Sequence, residues 1–182
     1  MLSQEFLERC VYPAVKHEAA HWLAAYLYGW GPRVIGIRIP ESENTHHSYV
    51  QVSHAVKMSS IEDVIDYTRK RLVILYAGMY AQHSDGRSFD SQAISDCVKP
   101  DGGSYSDFWK AEEIYFFYYN CLQNPQGWEI EFRPIVSEVK KMVITNYWFL
   151  EKVAKEIGHR ATHIGQEIFV QPEELIEMYE NK

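Results

Sequence analysis

Two histidines stand four residues apart inside an otherwise apolar run, and this pattern constrains the fold more than any other feature of the chain. The run "AVKHEAAHWLAAYL", at 14–27, places Glu18 directly after His17 and three residues before His21. A proline at the start and a glycine shortly after the end are typical of the first turn of a helix and of its termination. The sequence therefore predicts a buried helix that carries polar side chains in need of partners.

The spacing of the histidines is suited to metal binding. Residues four apart on a helix lie one above the other, so His17 and His21 present two imidazoles on one face. Glu18 is turned away by about 100°, where it can reach a water molecule at the metal but is poorly placed to be a ligand itself. Two buried imidazoles without partners would be costly. We therefore favour a metal site, with Glu18 as candidate general base, over two histidines satisfied by ordinary packing.

A catalytic zinc ion usually takes three protein ligands, so one more must come from elsewhere. A third histidine at position 27, as in the metzincin proteases, is excluded because Leu27 stands there. The remaining candidates are Glu112 or Glu113 in "WKAEEIY" and Asp107 in "GGSYSDFWKAEEI". Ser104 and Asp107 also match the spacing of a helix-capping pair, so Asp107 could simply start a helix. Residue types and spacing leave these alternatives open.

Periodicity predicts a mainly α chain of the α+β class, a helical bundle with a small β-hairpin or sheet. The β-branched stretches are joined by a polar loop at 40–47. A segment rich in Gly, Ser and Asp interrupts the helical pattern and predicts a loop. The predicted elements are strands at 33–39 and 48–53, a helix at 61–82, the loop at 83–103, and helical spacing at 108–122 and 136–157.

Composition predicts one domain over residues 1–182, because 182 residues with 46% apolar content suffice for a single core. The net charge of −7 is dispersed, and the clusters "TRKRL" and "EVKKM" fit solvated helix faces, which disfavours nucleic acid as a partner. Three widely spaced cysteines are typical of reduced thiols. No segment has the pattern of a signal peptide or the apolar length of a membrane span. We expect a soluble, cytoplasmic protein without a membrane partner.

Four segments, in this order, resemble the peptidase domain of FtsH, the membrane-anchored AAA+ zinc protease: "HEAAHWLAAYLYG", "PRVIGIRI", "RLVILYAGMYAQ" and "GGSYSDFWKAEEI". The closing "FVQPEELIEMY" is similar to the last element of that family. The resemblance implies an FtsH-type peptidase fold, Zn²⁺ as cofactor, and Asp107 as third ligand beside His17 and His21. Since the chain shows neither the ATPase module nor the membrane anchor, the expected protein is a stand-alone relative of that domain.

The chain departs from the family pattern at three positions. Ala20 replaces the glycine that usually precedes the second histidine, and Gln82 replaces a glutamate in "AGMYAQ". Ser106 stands where the family often has asparagine.

Two functions from different classes are compatible with these features. The first is an ATP-independent zinc metalloendopeptidase that hydrolyses peptide bonds in unfolded or specific protein substrates, with Glu18 as base for the zinc-bound water. The second is a catalytically idle FtsH-like domain that binds a protein partner and holds zinc as a structural element. The intact Glu18 favours the first, because a purely structural site needs no base. A second copy of the chain is a further possible partner, which would make the protein a homo-oligomer.

Substrate binding is expected along the second predicted strand, where an extended peptide could add to the sheet edge. The residues assigned to this role are Tyr49, Val50, Gln51, Val52 and Ser53. An ordinary sheet strand is the alternative. The other histidines considered, His46, His47, His54 and His83, are expected to be solvated, because no ligand spacing links them.

Overall fold

A computed structural model describes residues 2–42, 48–53 and 55–181. These residues form a mainly helical structure with a small antiparallel sheet, which confirms the predicted α+β class. No helix in these ranges combines the length and apolar character needed to cross a membrane. In chain order the elements are α1 (Gln4–Phe6), a π-helical turn (Leu7–Val11), α2 (Tyr12–Leu27), β1 (Pro32–Arg38), β2 (Tyr49–Val52), α3 (Ile61–Gln82), α4 (Ser91–Cys97), α5 (Tyr105–Cys121), α6 (Trp128–Thr145), α7 (Tyr147–Arg160), β3 (Glu167–Val170) and α8 (Pro172–Glu180).

Helix α2 lies at the centre of the molecule. Pro13 occupies its first turn, and the chain leaves the helix through Gly29, whose φ of 70° favours glycine. The helix contacts α3, α7, β1 and β2, and residues 17–25 are all buried. Because it is covered on every side, most of its residues are apolar, as expected for a core helix. Its histidines therefore lie in the interior.

The sheet has the strand order β2-β1-β3, with both pairings antiparallel. Ile35 of β1 is paired with Val50 on one side and with Val170 on the other. The predicted strands β1 and β2 are therefore confirmed as an antiparallel pair, although residues 43–47 of the predicted connection lie outside the described residues. Sequence analysis missed β3, because four residues with two inward-facing side chains give too short an alternation.

Helix α3 begins and ends at the predicted residues. Its start is fixed by a capping box: Ser60 Oγ accepts a hydrogen bond from the Asp63 amide at 3.2 Å, and Asp63 Oδ2 accepts one from the Ser60 amide at 3.1 Å. The helix packs against α2, α5 and α6. It therefore forms the wall that faces the two histidines of α2.

Two predicted segments differ from the structure. The predicted loop at 83–103 contains the short helix α4, whose first turn is capped by Asp90 Oδ1 at 3.0 Å from two backbone amides. The helical spacing at 136–157 covers two helices, α6 and α7, which are separated at Asn146. Asn146 Nδ2 donates to the Met142 carbonyl at 2.9 Å. Asparagine fits such a break without the glycine or proline that would have revealed it in the sequence.

Candidate metal centre

Three side chains from two helices converge on one point. His17 and His21 project from α2, and Asp107 projects from the first turn of α5. Asp107 Oδ2 lies 3.2 Å from Nε2 of each histidine. The ligand atoms of all three residues lie within 4.8 Å of one another, so this buried group could hold a metal ion.

The Nδ1 atoms of both imidazoles, called here the outer nitrogens, bind neighbouring groups, so the Nε2 atoms face the centre. His21 Nδ1 lies 2.6 Å from the Ile74 carbonyl oxygen, and His17 Nδ1 lies 3.1 Å from Gln82 Oε1. A carbonyl oxygen only accepts hydrogen bonds, so His21 Nδ1 carries a proton, and the neutral ring then has its lone pair on Nε2. That lone pair points at a carboxylate oxygen of Asp107. Two acceptors at this distance require a proton or a cation between them, and a metal ion meets this need.

The distances suit a small tetrahedral ion. Ligand atoms that lie about 2.0–2.2 Å from such an ion are separated from one another by roughly 3.3–3.6 Å. The 3.2 Å between Asp107 Oδ2 and each imidazole Nε2 is within a few tenths of an ångström of this separation. Imidazole nitrogen and carboxylate oxygen are also the donor types that zinc and other divalent metals accept. The three residues therefore fit a divalent metal ion in both geometry and chemistry.

The charges around the centre favour an ionised carboxylate at Asp107. Burial acts to raise the pKa of Asp107, but the imidazoles of His21 and His17 outweigh it and hold this pKa well below its usual range. Burial acts to lower the pKa of His21, but Asp107 outweighs it and raises the pKa above its ordinary value. The carboxylate is therefore ionised and available to a cation at ordinary pH.

Helix α3 approaches the centre so closely that one of its positions must be glycine. A Cβ atom at Gly78 would lie 2.5 Å from His21 Nε2 and 2.6 Å from His17 Nε2. Real Cβ atoms essentially never lie so close to another heavy atom. The absent side chain at Gly78 therefore leaves the room in which the two imidazoles face the carboxylate.

Of the three candidates for the third ligand, the structure brings Asp107 to the histidines. Ser104 precedes α5, but its side chain makes no capping hydrogen bond, so the capping role considered for this pair is wrong. Glu112 accepts a hydrogen bond from the Tyr76 hydroxyl at 3.4 Å, and Glu113 is exposed. Neither glutamate belongs to the metal-binding group found among the described residues.

Glu18 differs from the other buried polar residues of α2. Its side chain lies in the interior, with the residue only 5% exposed, yet it makes no hydrogen bond or ion pair with any residue that the structure describes. Burial raises the pKa of Glu18, and the nearby His17 and His21 only partly offset this effect. The carboxylate instead lines the cavity in front of the metal-binding group. It is thus a base of increased proton affinity with room for a small molecule beside it.

The cavity has a volume of about 230 Å³ and is bounded on one side by β2. Tyr49, Val50 and Val52 of the predicted substrate strand line it. Gln51 does not line it and is exposed, and Ser53 follows the last residue of the strand. The predicted strand is therefore placed next to the candidate centre, but only three of its five assigned residues face the cavity.

Sequence analysis missed two contributors from α3. Arg71, assigned with "TRKRL" to a solvated helix face, lines the cavity instead. Gly78 was not singled out, although an isolated glycine inside a helical pattern indicates close packing or a functional site. Residues 71, 74, 75 and 78 follow the spacing of one helix face, and this periodicity would have placed both residues on the side of the histidines.

The expectation that the remaining histidines are solvated is wrong for His83. Its Nε2 atom is buried and has no hydrogen-bond partner among the described residues, and burial lowers the pKa of its ring. His83 directly follows α3, where the chain turns back towards the interior. His46, His47 and His54 lie outside the described residues.

No protein-family model matches the chain, and no curated protein matches its sequence. The likeness to FtsH peptidase domains therefore stays a prediction from the motifs, and the chemistry of the site must be argued from its own geometry.

Proposed function

We propose that the chain is a zinc metallopeptidase that hydrolyses peptide bonds in unfolded or specific polypeptides without ATP. The observation that carries this proposal is the state of Glu18. A buried carboxylate without a hydrogen-bond partner among the described residues costs free energy. A site that only holds a metal ion does not need this carboxylate beside its ligands, whereas hydrolysis needs a base beside the metal.

Zinc is the metal that suits this combination best. Two histidines and one carboxylate also match the ligand set of ferrous oxygenases. A general base next to the ligands, however, serves the deprotonation of water, which zinc promotes without redox chemistry. When bound, zinc would bring the pKa of a coordinated water close to neutrality and polarise the substrate carbonyl. His17, His21 and Asp107 would hold it, and all three line the same cavity as Glu18.

Glu18 moves the protons in this scheme. Its carboxylate faces the cavity and accepts the proton of the attacking water as the oxygen adds to the peptide carbonyl. The carboxyl group then donates that proton to the amine that leaves. A raised pKa suits both steps, because a base that is too acidic would neither take the proton readily nor hold it until the amine departs.

The substrate is proposed to lie along β2. In the described part of the sheet β2 pairs only with β1, so the backbone groups of its other edge can pair with an extended peptide. Tyr49, Val50 and Val52 line the cavity that contains Glu18. An added strand would therefore run past the base, and recognition would depend largely on backbone hydrogen bonds.

The alternative, an FtsH-like domain that holds structural zinc and binds a protein partner, uses the same ligands. It differs in one respect, because it gives Glu18 no chemical role. A substitution at this residue therefore separates the two functions.

The test combines metal content with hydrolysis of an unfolded casein. Glu18→Gln keeps the size of the side chain but cannot accept a proton, so it should retain one zinc ion per chain and the wild-type fold. The rate of hydrolysis should fall by roughly two to four orders of magnitude. Glu113→Gln, which changes an exposed carboxylate on α5, serves as the matched control and should keep the wild-type rate.

Chelation should abolish hydrolysis and added zinc should restore it, with no requirement for ATP. Zinc binding by a wild-type protein that cleaves no unfolded polypeptide would contradict the peptidase. If Glu18→Gln then bound partner proteins as well as the wild type, the binding-domain alternative would take its place.

A further inference from the structure

Arg71 is a charged side chain on the cavity wall that has no direct partner among the described residues. It precedes Gly78 by seven residues on α3, and with Ile74 and Leu75 it follows the helix face that lines the cavity. Within residues 2–42, 48–53 and 55–181 it forms no hydrogen bond and no ion pair. It is also partly buried. A guanidinium in this position has lost part of its hydration without a direct ion pair to a described residue.

The neighbouring cations of the chain are paired. Arg69 forms an ion pair with Glu138, and Lys70 Nζ lies 2.6 Å from Asp66 Oδ2. Lys110, which also lines the cavity, has its Nζ 3.5 Å from Asp107 Oδ1. The lack of a partner at Arg71 is therefore a feature of this position and not of the helix as a whole.

Burial lowers the pKa of Arg71, while the nearby Tyr67 and Asp107 act to raise it. An arginine side chain nevertheless stays protonated in proteins. Burying such a charge without a counter-ion is unfavourable, and a carboxylate that enters the cavity would relieve the cost.

A second polar group of the cavity also lacks a partner. Ser48 Oγ is buried, lines the same cavity just before β2, and makes no hydrogen bond with any described residue. The cavity thus offers a planar guanidinium and a hydroxyl, both able to donate to an oxygen anion.

We propose that Arg71 binds a carboxylate of the polypeptide substrate, so that the enzyme prefers substrates with an acidic group close to the cleaved bond. This inference rests on the proposed peptidase function. The cavity volume of about 230 Å³ is below the usual 300–1,000 Å³ of ligand pockets, so it admits a single side chain or a chain end. The carboxylate is therefore either that of Asp or Glu or the C-terminal group of the substrate.

The first experiment measures kcat/KM for the zinc-loaded protein on matched peptides. One series replaces single Gln residues by Glu around the cleaved bond, and the other compares a free C-terminus with an amide. The wild type should prefer the carboxylate form by at least about tenfold in one series, because two charge-assisted hydrogen bonds are lost with the neutral form. The series that shows the preference identifies the source of the carboxylate.

The ratio of rates on the acidic and neutral peptides should fall to about one in Arg71→Gln. Arg71→Lys keeps the charge without the bidentate fork and should retain part of the preference. Lys70→Gln removes the adjacent positive charge from the same helix but outside the cavity, and its ratio should equal that of the wild type. Using a ratio within each variant cancels any loss of folded protein.

The second experiment measures binding of the same peptides to zinc-loaded Glu18→Gln by titration calorimetry, which does not depend on cleavage. A carboxylate preference that disappears in Glu18→Gln/Arg71→Gln supports the inference even if no peptide is cleaved, in which case only the peptidase function fails. Cleavage without a preference overturns the inference and leaves the peptidase intact. A preference that persists without Arg71 also overturns it, because the carboxylate would then bind the metal directly.

Discussion

Helix α2 has two buried faces whose side chains make different kinds of contact. On one face Trp22 is fully buried, stacks on Tyr26 with ring centroids 5.1 Å apart, and contacts Phe149 at 5.9 Å. On the other, His17 and His21 are almost as deeply buried but direct their Nε2 atoms to a single carboxylate oxygen. The first face is apolar and makes aromatic contacts, whereas the second carries nitrogen atoms that converge on the Asp107 carboxylate.

The difference lies in what each face still needs. The polar atom of Trp22 is satisfied, because Nε1 donates to the Arg33 carbonyl at 3.0 Å. The imidazoles are satisfied only at their outer nitrogens, while the inner ones share Asp107. The aromatic face can therefore contribute its stability without any ligand, whereas the histidine face forms a group that could hold a metal ion. Four predictions test this division, from the largest expected effect to the smallest.

The largest effect is expected at the ligands. His17→Ala, His21→Ala or Asp107→Ala should lower the affinity for zinc by at least about a thousandfold, because two remaining ligands hold the ion poorly. Isothermal titration with zinc measures this change. The double variant Glu112→Gln/Glu113→Gln is the control and should bind zinc within about threefold of the wild type. Stoichiometric zinc in a histidine variant, or loss of zinc in the control alone, would disprove the ligand set.

The next effect concerns the aromatic face. Trp22→Ala should lower the free energy of unfolding by about 3–5 kcal/mol, as for other large buried aromatics, which is a factor of roughly a hundred to several thousand in the folding equilibrium. Denaturant unfolding of the metal-free protein measures it. The zinc affinity of the folded variant should stay within about threefold, because the ring packs against Tyr26 and Phe149. A matching loss of zinc affinity would show that the two faces are not independent.

The sequence carried different amounts of information about these two faces. The motif at His17, Glu18 and His21 predicts its own local geometry, because helical spacing alone places the two imidazoles on one face. The identity of the third ligand depends on a contact across 86 residues of chain between His21 and Asp107, which no periodicity encodes. For that residue only the resemblance to a family pointed to the position at which the structure has it.

The other features that were not predicted from the sequence, in the site and in the fold, were missed for physical reasons. Arg71 stands in a cluster of three basic residues, and only tertiary packing shows that it faces the cavity while Arg69 pairs with Glu138. Likewise, β3 has only four residues, and the break at Asn146 contains no glycine or proline. By contrast, the long apolar period of α3 is sufficient to predict its first and last residues. Local signals locate elements, whereas sites arise from contacts between them.

A smaller effect is expected where α3 meets the centre. Gly78→Ala places a methyl group against both Nε2 atoms, so the zinc affinity should fall by roughly a hundredfold as the imidazoles are pushed from their positions. Gly158→Ala is the matched control, because its Cβ would be equally close to a ring, 2.5 Å from that of Tyr12. Gly158 lies in α7, which carries none of the proposed ligands. Both variants should be destabilised by about 1–3 kcal/mol, but only the first should lose zinc affinity. Equal zinc affinities would show that the space at Gly78 is not needed.

The smallest effect is expected at Gln82, which contacts a ligand but not the metal. Its Oε1 atom accepts a hydrogen bond from His17 Nδ1 at 3.1 Å, and the side chain is buried. This bond keeps the proton on Nδ1 and leaves Nε2 free for the metal. In Gln82→Leu this hydrogen bond is lost, and Ser104 Oγ still lies 3.4 Å from Nδ1. The zinc affinity should therefore fall by about tenfold or somewhat more.

Gln82→Glu separates the loss of this hydrogen bond from the loss of packing. A glutamate, which the resembling family has at this position, keeps an acceptor for His17 Nδ1 and makes the imidazole a stronger ligand. Its zinc affinity should equal or exceed that of the wild type, measured by competition with a chelator. If leucine and glutamate at this position reduced the affinity equally, the shape of the amide would matter and its hydrogen bond would not. If neither changed it, the histidine face would be organised by its three ligands alone, without support from the helix that covers it.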